Sequence, residues 1–354
     1  MGYRGKAVLV TGGLGFIGSN LALRLVKEGA DVTVVDPLLA GCGGNAFNIE
    51  PARESMRWVR EDVSNPASFR EQLERAEVVF NLAGEISHLH SVLLPARDLE
   101  VNTVAQLKLL DACRRWNRGV RIVYAGTRQV YGVPEYLPVD ERHPVNPVDF
   151  NGVHKYAATM YHLMLSRSGE VDACVLRLTN VYGPRMALDV PCQGFLSTYL
   201  RRALFGQQPE VFGTGEQLRD PVHVDDVVDA FLRAGSAAQL RSPAYNVGGF
   251  EVLSLRDIAL IMSRLGGTPP PLFREFPTER KAIDIGSYYT ESRLIRDELG
   301  WQPSIRFEDG MRMTVEYYRQ RLRHYIDPDN PHPCCKLGHP GAGLTEIDSA
   351  KRAS

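Results

Sequence analysis

The residues best placed to do chemistry begin with a glycine-rich run, Gly12-Gly13-Leu14-Gly15-Phe16-Ile17-Gly18. Gly12, Gly15 and Gly18 remove side chains where a phosphate must come close to the backbone. The N–H groups that open a following helix, those of Phe16 and Ile17 among them, would then face a pyrophosphate together with the helix dipole. A second polar position supports this reading. Asp36 stands 18 residues after Gly18, at the end of the apolar run that begins at Asp31. A carboxylate there accepts both ribose hydroxyls of an adenosine and repels a 2′-phosphate, so the expected cofactor is NAD rather than NADP. Asp62 and Val63, after the candidate strand Met56–Arg60, suit the adenine edge, and Leu82, Ala83 and Gly84, following Asn81, suit the nicotinamide side. His332, Cys334, Cys335 and His339 are metal-ligating types, but adjacent cysteines among prolines do not form a C-x-x-C knuckle, and no metal is expected.

These positions need a scaffold that brings strand ends together. Lys6–Thr11 is a short, β-branched apolar run leading directly into the glycines, and Leu21, Leu25 and Val26 then recur at helical spacing until Gly29. Apolar strands and helical segments continue to alternate: Val78–Leu82, a helix near Asn102–Trp116, Arg121–Ala125, a helix near Val153–Ser166, and Ala173–Leu178. This alternation predicts an α/β, Rossmann-like, doubly wound parallel sheet with ligands at the carboxyl ends of the strands. Residues 1–180 form the expected nucleotide-binding domain, with later segments returning to it. Residues 181–326 form mainly a smaller substrate-binding lobe, and 327–354 a loose Pro-rich tail. A helix is expected from Pro221 onward, and Ala244-Tyr-Asn-Val-Gly-Gly reads as a strand and turn.

The composition excludes several functional classes. A formal net charge of −1 offers no general attraction to nucleic acid or to a membrane surface. No apolar run approaches the roughly 20 residues that span a bilayer, and the chain enters its first strand without a leader. The 6 cysteines show no disulfide framework, which fits a reducing cytoplasm.

Five segments carry a resemblance: Thr11–Gly18, Tyr124-Ala-Gly-Thr-Arg-Gln-Val-Tyr-Gly132 with Lys155, Arg177-Leu-Thr-Asn-Val-Tyr-Gly-Pro184, Arg219-Asp-Pro-Val-His-Val-Asp-Asp226 and Leu299-Gly-Trp-Gln-Pro303. Together they cover the chain from Lys6 to about Tyr318. The chain resembles the extended short-chain dehydrogenase/reductases of the sugar-nucleotide epimerase and dehydratase family. In that family a bound nicotinamide takes hydride from a sugar carbon, usually C4, while a Tyr removes the hydroxyl proton. A Lys lowers the Tyr pKa and binds the nicotinamide ribose, and a Ser or Thr hydrogen-bonds the reacting hydroxyl. Thr127 matches the Ser/Thr and Lys155 the Lys. The Tyr belongs four residues before the Lys, one helical turn away on the same face, and that residue is Asn151.

An amide cannot act as a phenolate base, and a lost general base costs about 10²–10⁴ in rate. Glu85, His88 or His154 could take over the proton, Asn151 could hold a water that relays it toward Lys155, or the chain could bind NAD and a nucleotide sugar without turnover. Family members that dehydrate at C5–C6 follow the Thr with an Asp and a Glu. Here Arg128 and Gln129 stand in those places, and neither replaces the carboxylates. Epimerisation at C4 through a transient 4-keto sugar is therefore expected, with dehydration by rearranged groups as the alternative. Arg128 could face a carboxylate, phosphate or hydroxyl of the sugar. Asn180 and Arg219 resemble holders of the nucleotide diphosphate, and Arg185 and Arg280 are further candidates. The resemblance also implies a homodimer, formed through the helices near Asn102–Trp116 and Val153–Ser166.

Overall fold

The computed structural model describes residues 2–190, 194–276 and 284–326, with the backbone alone for residues 88–90. The tail, with its His/Cys group, and Arg280 lie outside the described residues. Seven strands form one sheet: β1 Ala7–Thr11, β2 Asp31–Val35, β3 Met56–Val59, β4 Val78–Asn81, β5 Arg121–Thr127, β6 Asp172–Leu178 and β7 Ala244–Val247. Their spatial order is β7-β6-β5-β4-β1-β2-β3, and every pairing is parallel. Because the chain passes from β3 to β4 across β1, the carboxyl ends of β1 and β4 flank a topological switch point, where α/β sheets bind ligands.

The helices are α1 Phe16–Lys27, α2 Arg70–Arg75, α3 His88–Leu93, α4 Pro95–Leu99, α5 Ala105–Trp116 and α6 Phe150–Arg167, followed by α7 Phe195–Leu204, α8 Val224–Ser236, α9 Leu255–Gly266, α10 Arg293–Leu299 and α11 Phe307–Arg321. Alternation along β1 sends Val8 and Val10 into one core with Leu21, Leu25 and Phe231, and Leu9 into the opposite core with Val79, Leu109 and Ile122. Both faces of the sheet are thus covered, which is why its strands read as continuous apolar runs rather than alternating ones. A third core, containing Tyr182, Leu200, Met262, Phe307 and Met311, lies between α7, α9 and α11.

Several boundaries differ from the sequence reading, each for a local reason. The segment after Pro221 first pairs Val222–His223 with Val181–Tyr182, and α8 starts only at Val224, where the His223 ring accepts from Asp225 N. α6 begins at Phe150, ahead of the predicted Val153, because the Asp149 side chain caps Gly152 N at 2.7 Å. Glu100–Val104 forms a wider π turn before α5, which brings Asn102 Oδ1 to Glu85 N at 3.1 Å. No helix among the described residues is long and apolar enough to cross a membrane.

Candidate active site

The glycine turn between β1 and α1 takes its shape from tight backbone approach. Gly12 has φ +66°, and a Cβ there would lie 2.8 Å from Leu82 O. A Cβ on Gly18 would collide with Gly12 O. Either substitution would therefore force the turn apart. At the start of α1 no side chain caps the helix, and no acid stands in its first turn. The uncapped N–H groups of Phe16 and Ile17 leave that end suited to an anion. Asp36 lies at the lip of the turn, where its carboxylate accepts from Leu14 N at 3.0 Å and Leu38 N at 2.9 Å, and burial raises its pKa above the usual carboxylate range. Asp62 accepts from Ser64 N at 2.7 Å and lies close enough to Asp36 to oppose its charge, while the Val63 side chain packs into the core.

A buried polar chain holds the end of β4. Thr11 Oγ1 donates to Asn81 Oδ1 at 2.8 Å, and Asn81 Nδ2 donates to Gln106 Oε1 at 2.7 Å. Gln106 Nε2 in turn donates to Ala83 O at 3.0 Å. The backbone N–H groups of Leu82 and Ala83 both donate to Thr11 Oγ1. The following Gly84 then lies against Lys155, since a Cβ at Gly84 would fall 2.8 Å from Lys155 Nζ and 2.7 Å from Asn102 Oδ1. A side chain at this position would push the ammonium away from this strand end.

Thr127 ends β5, and its hydroxyl accepts from Gln129 N at 3.2 Å. Asn151 and Lys155 are both buried on α6. Burial pulls the Lys155 pKa down to about 8, against the opposing pull of the Asp98 and Glu85 charges. Asn151 Nδ2 donates to Asp98 Oδ2 at 2.9 Å and to Glu85 O at 3.1 Å, whereas its Oδ1 is buried without a partner. The other Asp98 oxygen meets His154 Nδ1 at 2.7 Å. Asp98 is 1% exposed, so a buried carboxylate bridges the amide and the imidazole.

This geometry revises several candidates for the proton acceptor. Glu85 sits beside the site, but its carboxylate is turned to Arg97, whose Nε lies 2.8 Å away. His154 is engaged by Asp98. Asn151 cannot donate into a water relay with an amide nitrogen already committed to Asp98 and Glu85, so only its acceptor oxygen remains. The side chain of His88 lies outside the described residues. Asp98, Asn102 and Tyr288 are site neighbours that sequence reasoning missed, and none belongs to a spacing that announces it.

On the substrate side, Asn180 Oδ1 is buried without a partner. Arg219 donates to Leu218 O at 2.7 Å and Gly286 O at 2.5 Å and stands 4.0 Å from Asp284, so much of its fork braces the neighbouring segment. Burial and the charge of Arg128 lower its pKa to about 10. Arg185 is already engaged within the chain. Its guanidinium donates to Asn48 O at 3.0 Å and Asn20 Oδ1 at 2.9 Å and lies over the Tyr317 ring, so it ties α1 to the segment after β2 instead of reaching for a diphosphate. Arg128 stacks on the buried Tyr288 ring at 4.8 Å.

The residues present fit a dinucleotide. The glycine cradle has no room for added side chains, α1 is uncapped, Asp36 stands at the lip, and Asn102 Nδ2 and Asn151 Oδ1 are orphaned at the far end. Known proteins place the chain in the same frame. The sequence pattern of the NAD dependent epimerase/dehydratase family matches residues 8–248. The UDP-glucose 4-epimerase of Mycolicibacterium smegmatis is 34% identical over 316 residues, covering 88% of this chain and 98% of that protein. The crystal structure of UDP-glucose 4-epimerase with UDP-glucose from Thermotoga maritima superposes with a TM-score of 0.79 at 29% identity, over 89% of this chain and 99% of that one. The structure of MoeE5 in complex with UDP-glucuronic acid and NAD gives a TM-score of 0.76 at 28% identity, over 88% and 99%. The chain belongs to the NAD dependent epimerase/dehydratase family, and NAD is its cofactor.

Proposed function

We propose that this protein inverts C4 of a nucleotide-activated sugar through a transient 4-keto intermediate, with Lys155 as its titrating group. One observation carries the choice of epimerisation over dehydration. Thr127 and Lys155 are both present, yet the two residues after Thr127 are a guanidinium stacked on Tyr288 and an amide, where water elimination needs an acid and a base. NAD, when bound, would supply the hydride acceptor and donor that inversion at C4 requires. The neutral Lys155 amine takes the C4 hydroxyl proton, Thr127 hydrogen-bonds the same oxygen, and the ammonium so formed gives the proton back on reduction. The Oδ1 of Asn151, one helical turn away, is a buried acceptor without a partner and is open to a substrate or cofactor hydroxyl. Asn180 and the free edge of Arg219 support the nucleotide diphosphate. We further propose that the protein works as a homodimer joined through α5 and α6.

The experiment is incubation of the protein with NAD and a panel of nucleotide sugars in deuterated water, followed by NMR and mass spectrometry. The expected product is an isomer of unchanged mass, inverted at C4 and free of deuterium there. Loss of the mass of one water would replace this reading with dehydration, and binding without turnover across the panel would leave a binding protein.

A further inference from the structure

Arg128 is a charged group of the site that forms no ion pair among the described residues. It follows Thr127 directly, and its guanidinium lies 4.8 Å from the centre of the Tyr288 ring, which is 1% exposed. Among the described residues it makes no hydrogen bond and no ion pair, so all five of its donors remain open. Asp220, Asp149 and Asp284 lie near enough for their charges to favour the guanidinium, yet none of them forms an ion pair or hydrogen bond with it, and burial still lowers its pKa. Asp220 is near, but its Oδ2 accepts from Thr290 N at 2.9 Å and burial pushes its pKa up to about 7, which makes it a weak counter-charge at neutral pH. Arg219 adds a second positive charge close enough for the two guanidinium groups to repel. A half-buried arginine stacked on an aromatic face, beside another arginine and with open donors, is arranged to receive a planar anion. Stacking alone returns only about 0.5–2 kcal/mol, well short of what a desolvated, unpaired cation costs.

We propose that Arg128 binds a carboxylate carried by the sugar itself, so that the preferred substrate is a nucleotide-activated uronic acid. This rests on the proposed C4 chemistry, because position selects the anion. Thr127 addresses the C4 oxygen, and the adjacent residue meets the substituent on the neighbouring ring carbon, which in a uronic acid is the planar carboxylate. A neutral hydroxymethyl group there would leave the fork unpaired. The diphosphate is the other anion of such a substrate, and it falls to the nucleotide end of the molecule.

The test measures binding of UDP, UDP-glucose and UDP-glucuronic acid to the NAD-loaded protein by calorimetry, with turnover followed by NMR, for the natural chain and for Arg128→Met and Arg128→Lys. In the natural chain UDP-glucuronic acid should bind more tightly than UDP-glucose. That ratio should fall by about tenfold to a hundredfold in Arg128→Met, the range for losing hydrogen bonds to a charged group. Arg128→Lys should recover part of it, since the charge survives without the fork. Equal binding of the two sugars by the natural chain would overturn the proposal. So would an Arg128→Met loss that is the same for UDP alone, which would assign Arg128 to the diphosphate. Turnover of UDP-glucose without preference for the acid would leave the C4 reading standing while this one falls, whereas binding of the acid without turnover would do the reverse.

Discussion

Lys155, Asn151 and Asp98 form one buried network in which each side chain sets what the next can do. The amide at 151 cannot titrate, but its two donors hold the Asp98 carboxylate and the Glu85 carbonyl, and Asp98 holds His154. On the α6 side of the site, burial brings Lys155 down to about 8. If its free amine is the working base, turnover rises with pH through about 8 and then levels, and Lys155→Met loses about 10²–10⁴ in kcat. Stability carries the same signature. The folded chain binds fewer protons than the unfolded one between about 8 and the ordinary 10.5, so stability rises with pH across that window, and the rise vanishes in Lys155→Met. Melting curves of the two proteins through the window check the sign, and a flat difference would refute it. Asn151→Leu strips a donor from a carboxylate that is 1% exposed and should cost about 1–3 kcal/mol in denaturant unfolding. Little of this network was legible in the sequence. The Asn at 151 was visible from its spacing to Lys155, but Asp98 reaches the site only because α4 packs on α6, and no local pattern encodes that contact. The partners of Arg185 were illegible for the same reason, since Asn20 and Asn48 are far away in sequence.

At the scale of elements, the legible parts are those whose signal is local. Each strand of the main sheet was readable as an apolar run, and the glycine turn as a spacing, because burial on both faces and close backbone approach act within a few residues. The two-residue pairings, such as Val222–His223 with Val181–Tyr182, were not readable, because a strand that short has no period. The glycine turn also permits a sharp test. Gly18→Ala drives a methyl group into Gly12 O, so the turn must open and α1 must shift from the position in which its N–H groups would face a pyrophosphate. The expected outcome is loss of at least tenfold in NAD affinity, measured by titration, together with a lowered melting temperature. Unchanged NAD affinity would show that the turn is not the pyrophosphate site. The Asp149 cap offers a milder perturbation of the opposite wall. Asp149→Ala should cost about 0.5–2 kcal/mol and loosen the first turn of α6, the turn that carries Asn151.

At the scale of the molecule, the outer face of α6 is harder to explain in a single chain than its inner face. Val153 and Met164 are 48% and 49% exposed, and they belong to a stripe with Ala157 and Met160 at helical spacing. Leu107 on the neighbouring α5 and Leu99 at the end of α4 are 42% and 40% exposed. Apolar side chains gathered on adjoining helices mark a surface that association would cover. In the proposed dimer a second copy would cover it, since a two-fold axis lets the same patch meet itself. Light scattering should therefore give the mass of two chains, and Val153→Glu combined with Leu107→Glu should give one. A natural chain that remains monomeric at every concentration would remove the dimer. Turnover tells more than mass, because α6 presents Val153 outward and Asn151 and Lys155 inward on consecutive turns. If packing against a partner is what steadies this helix, the double variant loses kcat while its glycine turn, on the other side of the sheet centre, still binds NAD. Loss of mass without loss of kcat would mean that Asp98 and the Asp149 cap hold α6 in place without the partner.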